Sequence, residues 1–178
     1  MTTSKKLTTG DTFPVINAML LDGSSVELGK ARGNATWQMI VVYRGVHCPL
    51  CTRYLNQLEQ HKEALEELGV SVMAVSGDSK TQLEKHLEQL TISFPIAYGL
   101  TQEQMQTLGL YISVPRSEKE TDHNFAEPGL FIVNEEGNLQ AIDISNAPLL
   151  RPELDVIVRG ITFVRSQPDY PIRGTLKY

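Results

Sequence analysis

Tyr43-Arg44-Gly45-Val46-His47-Cys48-Pro49-Leu50-Cys51-Thr52-Arg53 is the stretch that decides how the rest of the chain is read. It holds both cysteines of the sequence, spaced Cys-x-x-Cys. The run before it, Gln38 to Tyr43, is β-branched and aromatic, as a buried strand is. After it, Leu50, Tyr54, Leu55, Leu58, Ala64, Leu65 and Leu68 recur at helical spacing. The pattern predicts a central strand giving way to a long helix, with Cys48 at or just before the helix start. Pro49 suits the first helical position, where its missing N–H costs nothing. Unpaired amides and the positive end of the macrodipole favour an anion there, and a thiolate is an anion. The expectation is a redox-active thiol. Two plainer readings stand beside it: half of a zinc site, or an inert buried pair.

A chain of 178 residues accommodates one domain with a full core. Its 41% apolar and 21% charged residues are an ordinary globular balance. A formal net charge of -5 gives no basic footprint for nucleic acid or an anionic membrane, and no apolar run reaches the length of a membrane span. Met1 to Lys6 is not followed by an apolar segment of the kind a secretory signal carries, so the cytoplasm is the expected compartment. In that reducing setting a lone close-spaced pair is catalytic or metal-binding more often than a structural staple.

Outward from the central stretch, residues 1–9 read as a loose polar arm, 10–166 as one domain and 167–178 as an extended tail. Val15 to Leu21 and Ser25 to Leu28 flank Asp22-Gly23, a hairpin signal. Gly69 is placed to cap the long helix, and Val70 to Val75 reads as a second buried strand. Ser79-x-x-Gln82 is a capping box opening a helix to about Leu90, with Leu83, Leu87 and Leu90 inward. Phe94 to Tyr98 is a short strand kept toward an edge by Pro95, and Thr101-x-x-Gln104 opens another short helix. Tyr111 to Glu127 has no period and reads as a long loop. Gly129 to Val133 and Leu139 to Ile144 form a hairpin. Pro152 marks the start of a final helix with Leu154, Ile157, Val158, Ile161 and Val164 inward. His61 and His86 are expected in solvent on helices, His123 in the loop without a partner, and Trp37 in the core or at a sheet end. Alternating strands and helices closed by a hairpin imply an α/β fold, a mixed sheet with helices on both faces.

The chain resembles the peroxiredoxin group of thioredoxin-fold proteins, the alkyl hydroperoxide reductase and thiol-specific antioxidant type, from about Gly10 to Phe163. Four segments carry the resemblance: Gly10-Asp11-x-Phe13-Pro14 with Leu21-Asp22-Gly23, Tyr43 to Pro49, Ser93-Phe94-Pro95-Ile96 with Gly109-Leu110, and Pro128 to Asn134 with Gly137. It implies a peroxiredoxin-type thioredoxin-like fold, a central mixed sheet flanked by helices and preceded by an N-terminal β-hairpin. It also implies that Cys48 attacks a hydroperoxide and that Cys51 resolves the sulfenic acid as an intramolecular disulfide. At a helix N-terminus a thiol pKa falls from about 8.5 into the ~3.5–7.5 range. Arg44 and His47 lie beside Cys48 and can lower it further.

Two positions differ from the family pattern. Gly45 stands where a Thr or Ser hydroxyl usually helps hold the peroxide, and Pro128 stands where an arginine usually precedes the penultimate strand. Pro128 instead resembles the cis-proline of thioredoxins, and Arg116 or Arg44 is the candidate replacement for the arginine. The expected substrate is a hydroperoxide or a disulfide, with an external thiol of thioredoxin or glutathione type as reductant, no cofactor or metal, and a homodimer as an option. The alternatives are a thioredoxin-like thiol–disulfide oxidoreductase and a zinc-binding or redox-sensing module.

Overall fold

The computed structural model describes residues 7–177. In chain order they form β1 (Asn17–Met19), β2 (Ser25–Glu27), β3 (Trp37–Val42), α1 (Pro49–Glu67), β4 (Val70–Val75), α2 (Lys80–Leu87) and β5 (Ile96–Ala97). Then follow α3 (Gln102–Thr107), β6 (Ile112–Ser113), β7 (Phe125–Ala126), β8 (Gly129–Val133), β9 (Leu139–Ile144), a 3-10 turn (Pro148–Leu150) and α4 (Leu154–Ser166). Of the arm expected over 1–9, residues 1–6 lie outside the described residues.

Six buried residues in a row make β3 the centre of a five-stranded sheet, ordered β5-β4-β3-β8-β9. β4 pairs with β3 in parallel, which is why α1 must cross between them, and β5 extends that parallel side. β8 and β9 run antiparallel on the other side. Successive side chains of β3 alternate between two cores. Trp37, Met39 and Val41 face Leu55, Leu58 and Leu65 of α1, Leu83 of α2, and Leu154 and Ile161 of α4. Ile40 and Val42 face the other way, toward Phe13, Ile16 and Leu28 of the N-terminal hairpin region and Met105 of α3. The sheet is thus mixed and covered on both faces, with the β1–β2 hairpin on the α3 side, as the alternation of elements predicted.

Four expectations are corrected. The stretch 111–127 is not wholly loop: β6 and β7 pair antiparallel as a small ribbon whose connecting loop packs back on the chain ahead of Cys48. α4 begins at Leu154, since Pro148 and Pro152 shape the 3-10 turn and the extended lead that precede it. His86 is not solvated: three residues past the buried Leu83, it shares the inward face of α2 and has no exposed surface. No cis peptide bond occurs among the described residues, so Pro128 is trans. The chain runs extended from β7 through Pro128 into β8, and the Pro128 carbonyl accepts the Ser145 N–H at 2.9 Å.

Candidate active site

Cys48 is the N-cap of α1. Its backbone is extended (φ -111, ψ 98), Pro49 occupies the first turn, and its carbonyl accepts the Thr52 N–H at 3.1 Å. The Cys51 N–H lies 3.3 Å from Cys48 Sγ and 3.0 Å from the Cys48 carbonyl, so one amide of the helix start is shared between the sulfur and the backbone. Cys51 is one turn away with the Cα atoms 5.3 Å apart, and the two are joined as a disulfide. Both are covered: Cys48 keeps 2% of its surface and Cys51 none, while the neighbouring Leu50 is 44% exposed. The covering is not wholly apolar, because an amide points at one sulfur and a guanidinium at the other.

That guanidinium belongs to Arg151, which follows the 3-10 turn. Its Nη2 lies 3.5 Å from Cys51 Sγ and 3.4 Å from the Val42 carbonyl, and its head stacks over the Tyr54 ring at 4.9 Å. Burial pulls its pKa down to about 10, so it remains a cation at neutral pH. Burial also pushes the Tyr54 phenol up to about 12, and its hydroxyl donates to the Pro152 carbonyl.

The segment ahead of Cys48 is held from the other side by Asp78, at the turn between β4 and α2. Asp78 Oδ2 accepts the Val46 N–H at 2.8 Å. Gly45 has φ +142, and a Cβ there would run into the Asp78 carboxylate. The acid thus fills the space that a hydroxyl side chain at this position would need, and glycine accepts the positive φ. Asp78 Oδ1 lies 3.4 Å from His123 Nε2, giving His123 the partner that sequence did not supply. His47 packs its ring on Phe125 at 4.6 Å, and both its ring nitrogens are buried without a protein partner. Burial holds its pKa below the ordinary imidazole range. His86 Nε2 is 2.8 Å from Thr52 Oγ1, on the first turn of α1.

The other residues singled out in the sequence fall in different places. Arg44 lies over Phe125 at 4.6 Å and pairs with Glu127 at 3.4 Å and Glu120 at 3.8 Å, clamping the ribbon to the Cys48 segment. Arg116 is exposed, its Nε donating to Glu120 at 3.1 Å. Pro128 lies between β7 and β8, where it lines a small crevice together with Tyr54 and Arg151. His61 bridges α1 to Asp155 of α4 at 2.9 Å. Among the described residues no group of three or more His, Cys, Asp or Glu is placed to hold a metal ion, which leaves the zinc reading without a ligand set.

Sequence reasoning missed Arg151 and Asp78. The available signals were a lone cation inside the apolar run Ala147 to Pro152, and an acid three residues past the end of the buried strand β4.

The AhpC/TSA family model matches residues 9–142. The alkyl hydroperoxide reductase C of Escherichia coli (strain K12) is 25% identical over 158 residues, covering 87% of this chain and 82% of that protein. The peroxiredoxin-like protein from Aquifex aeolicus has the same fold at a TM-score of 0.73 and 19% identity, covering 89% and 88% of the two chains. A cysteine-to-serine mutant of the peroxiredoxin 6 of Arenicola marina also matches at 0.73 and 19%, over 93% and 80%.

Proposed function

We propose, for a chain that belongs to the AhpC/TSA family, that it is a thiol-dependent peroxidase in which Cys48 attacks and Cys51 resolves. The observation that carries this reading is the Cys51 amide aimed at Cys48 Sγ on the first turn of α1, with the second sulfur within bonding reach. The Cys48 thiolate displaces alkoxide from a hydroperoxide, taking the distal oxygen as a sulfenic acid, and the alkoxide takes up a proton. The Cys51 sulfur then bonds to Cys48 Sγ, and the sulfenic oxygen leaves as water. Two equivalents of an external thiol return the pair to the dithiol as their own disulfide forms. Arg151 beside Cys51 Sγ stabilises the Cys51 thiolate, both as the attacking group in resolution and as the leaving group in reduction.

A second reading is a thiol–disulfide oxidoreductase on the same scaffold. It is favoured by the absence of a hydroxyl at Gly45 and by the placement of Arg151 on Cys51 instead of Cys48. Stopped-flow oxidation of the fully reduced protein by hydrogen peroxide separates the two. The peroxidase reading expects a rate well above that of a free thiol. A rate no better than a free thiol, together with reduction of insulin, selects the second reading.

A further inference from the structure

Asp78 has no exposed surface, and a buried carboxylate is costly unless it is paired. Its two oxygens are used differently. Oδ2 accepts the Val46 N–H two residues before Cys48, while Oδ1 faces His123 Nε2. The backbone N–H of Asp78 is itself fixed by Ser76 Oγ at 3.2 Å. The carboxylate also occupies the space that a side chain at position 45 would take. The segment that delivers Cys48 to the helix start is therefore moulded on Asp78.

The groups around this acid come from four elements. His123 and the exposed Asp122 reach it from the loop between β6 and β7, His47 from the Cys48 segment, His86 from α2, and Tyr43 from the end of β3. Arg44 and Glu120 act on His47, with opposite sign. Burial keeps His47 and His86 below the ordinary imidazole range, so they are neutral at neutral pH. The contact with Asp78 raises His123 instead. Of the three, His123 is the first to take up the proton that balances Asp78 as pH falls, and it lies 3.4 Å from that carboxylate.

We propose that Asp78, with His123 as its counter-charge, is the positioning residue that fixes the Gly45–Val46–His47 segment and so sets how well the Cys48 thiolate is stabilised. The inference rests on Cys48 being the attacking sulfur. While His123 is protonated the pair is neutral overall and the segment is held. As pH rises through the raised pKa of His123, that contribution is lost and Asp78 becomes an unbalanced negative charge beside the segment, which disfavours a second anion. Cys48 reactivity then climbs with pH as the thiol ionises, but the climb is drawn out over a wider range than for a single group, because loss of the His123 proton makes the thiol harder to ionise.

The test is alkylation of Cys48 by iodoacetamide in the full-length Cys51→Ser background, followed from about pH 5 to 9. The parent shows the drawn-out rise. His123→Gln gives a steeper, single-group curve and lowers the thiolate fraction at the acid end by about tenfold, the equivalent of one pKa unit, converging on the parent where both are ionised. Asp78→Asn also gives a steeper, single-group curve but keeps the parent's reactivity at the acid end, and adding His123→Gln to it changes nothing further. Should Asp78→Asn fail to fold, His123→Gln decides alone, since its side chain is 25% exposed. A His123→Gln profile that superimposes on the parent, or falls uniformly without changing shape, overturns the proposal. Alkylation needs no hydroperoxide. A thiol indifferent to peroxide rejects the peroxidase reading and leaves this result standing, and the reverse also holds.

Discussion

The two sides of the first turn of α1 are opposite in charge and differ in what they touch. On one side Arg151, backed by the Tyr54 ring, places a cation 3.5 Å from Cys51 Sγ. On the other side Asp78 and its histidines make no hydrogen bond to a sulfur, and Asp78 holds the backbone ahead of Cys48. Cys48 takes its stabilisation from the amides of the helix start, and Cys51 takes its own from a side chain. The difference teaches that two cysteines three residues apart can be assigned separate tasks by what surrounds each. Substitutions on the two sides should therefore have separable effects.

The largest expected effect is on the sulfurs themselves. Cys48→Ser abolishes turnover. Cys51→Ser permits one round of oxidation and accumulates a sulfenic acid, seen as the gain of one oxygen by mass spectrometry. Equal and complete loss in both variants, with no oxygen gained, breaks the assignment of roles. Next comes Gly45→Thr, which restores the residue type common in the family. At φ +142 a side chain is strained, and its Cβ meets the buried Asp78 carboxylate. The expected cost is about 1–3 kcal/mol by urea denaturation, with slower oxidation and not faster. In the double variant with Asp78→Ala the collision is relieved and the backbone strain stays, so the two changes are not additive. A Gly45→Thr protein that gains peroxidase activity at unchanged stability contradicts the account of Gly45.

The third expected effect tests the cationic side. Arg151→Gln raises the pKa of the Cys51 thiol, since an opposite charge at this range is worth ~1–3 units. Reduction of the disulfide by an external thiol should slow by on the order of tenfold, because the leaving sulfur is less stable as a thiolate. The first oxidation of Cys48 should change little. Slowed oxidation with unchanged reduction would reverse the comparison, making Arg151 a group that serves Cys48.

How far the sequence reached follows from which signals are local. β4 was legible to its ends because six apolar or small residues run without a break between Gly69 and Ser76. Both capping boxes, at Ser79 and Thr101, were legible because each is made within four residues. The Cys48 N-cap was legible for the same reason. What could not be read depends on side chains brought together from far along the chain. Asp78 meets Val46 from 32 residues away, and Arg151 meets Cys51 from 100. His86 was misread because Glu84, Lys85 and Glu88 around it describe the outer face of α2, while its register with Leu83 faces it inward. The β6–β7 ribbon escaped because strands of two residues leave no period to detect.

The smallest effect concerns a second histidine–aspartate pair, and it sharpens the contrast with the buried one. His61 Nδ1 lies 2.9 Å from the Gln57 carbonyl and its Nε2 2.9 Å from Asp155 Oδ1, joining α1 to α4. Both contacts raise its pKa, the carbonyl first. Stability from this pair is fully present below the ordinary imidazole value of about 6.5 and is lost as pH rises through the raised one. Asp155 is 77% exposed, so solvent screening limits the contribution to less than about 1 kcal/mol. Urea midpoints of the parent and His61→Gln should differ slightly at acid pH and converge above neutrality. The same variant should leave the pH profile of Cys48 alkylation untouched, because its charge sits about three and a half turns along α1 from Cys48 and contacts α4 instead of Asp78. A profile that shifts with His61→Gln would mean that any imidazole charge on this helix reaches the sulfur, and the selectivity assigned to His123 would lose its basis.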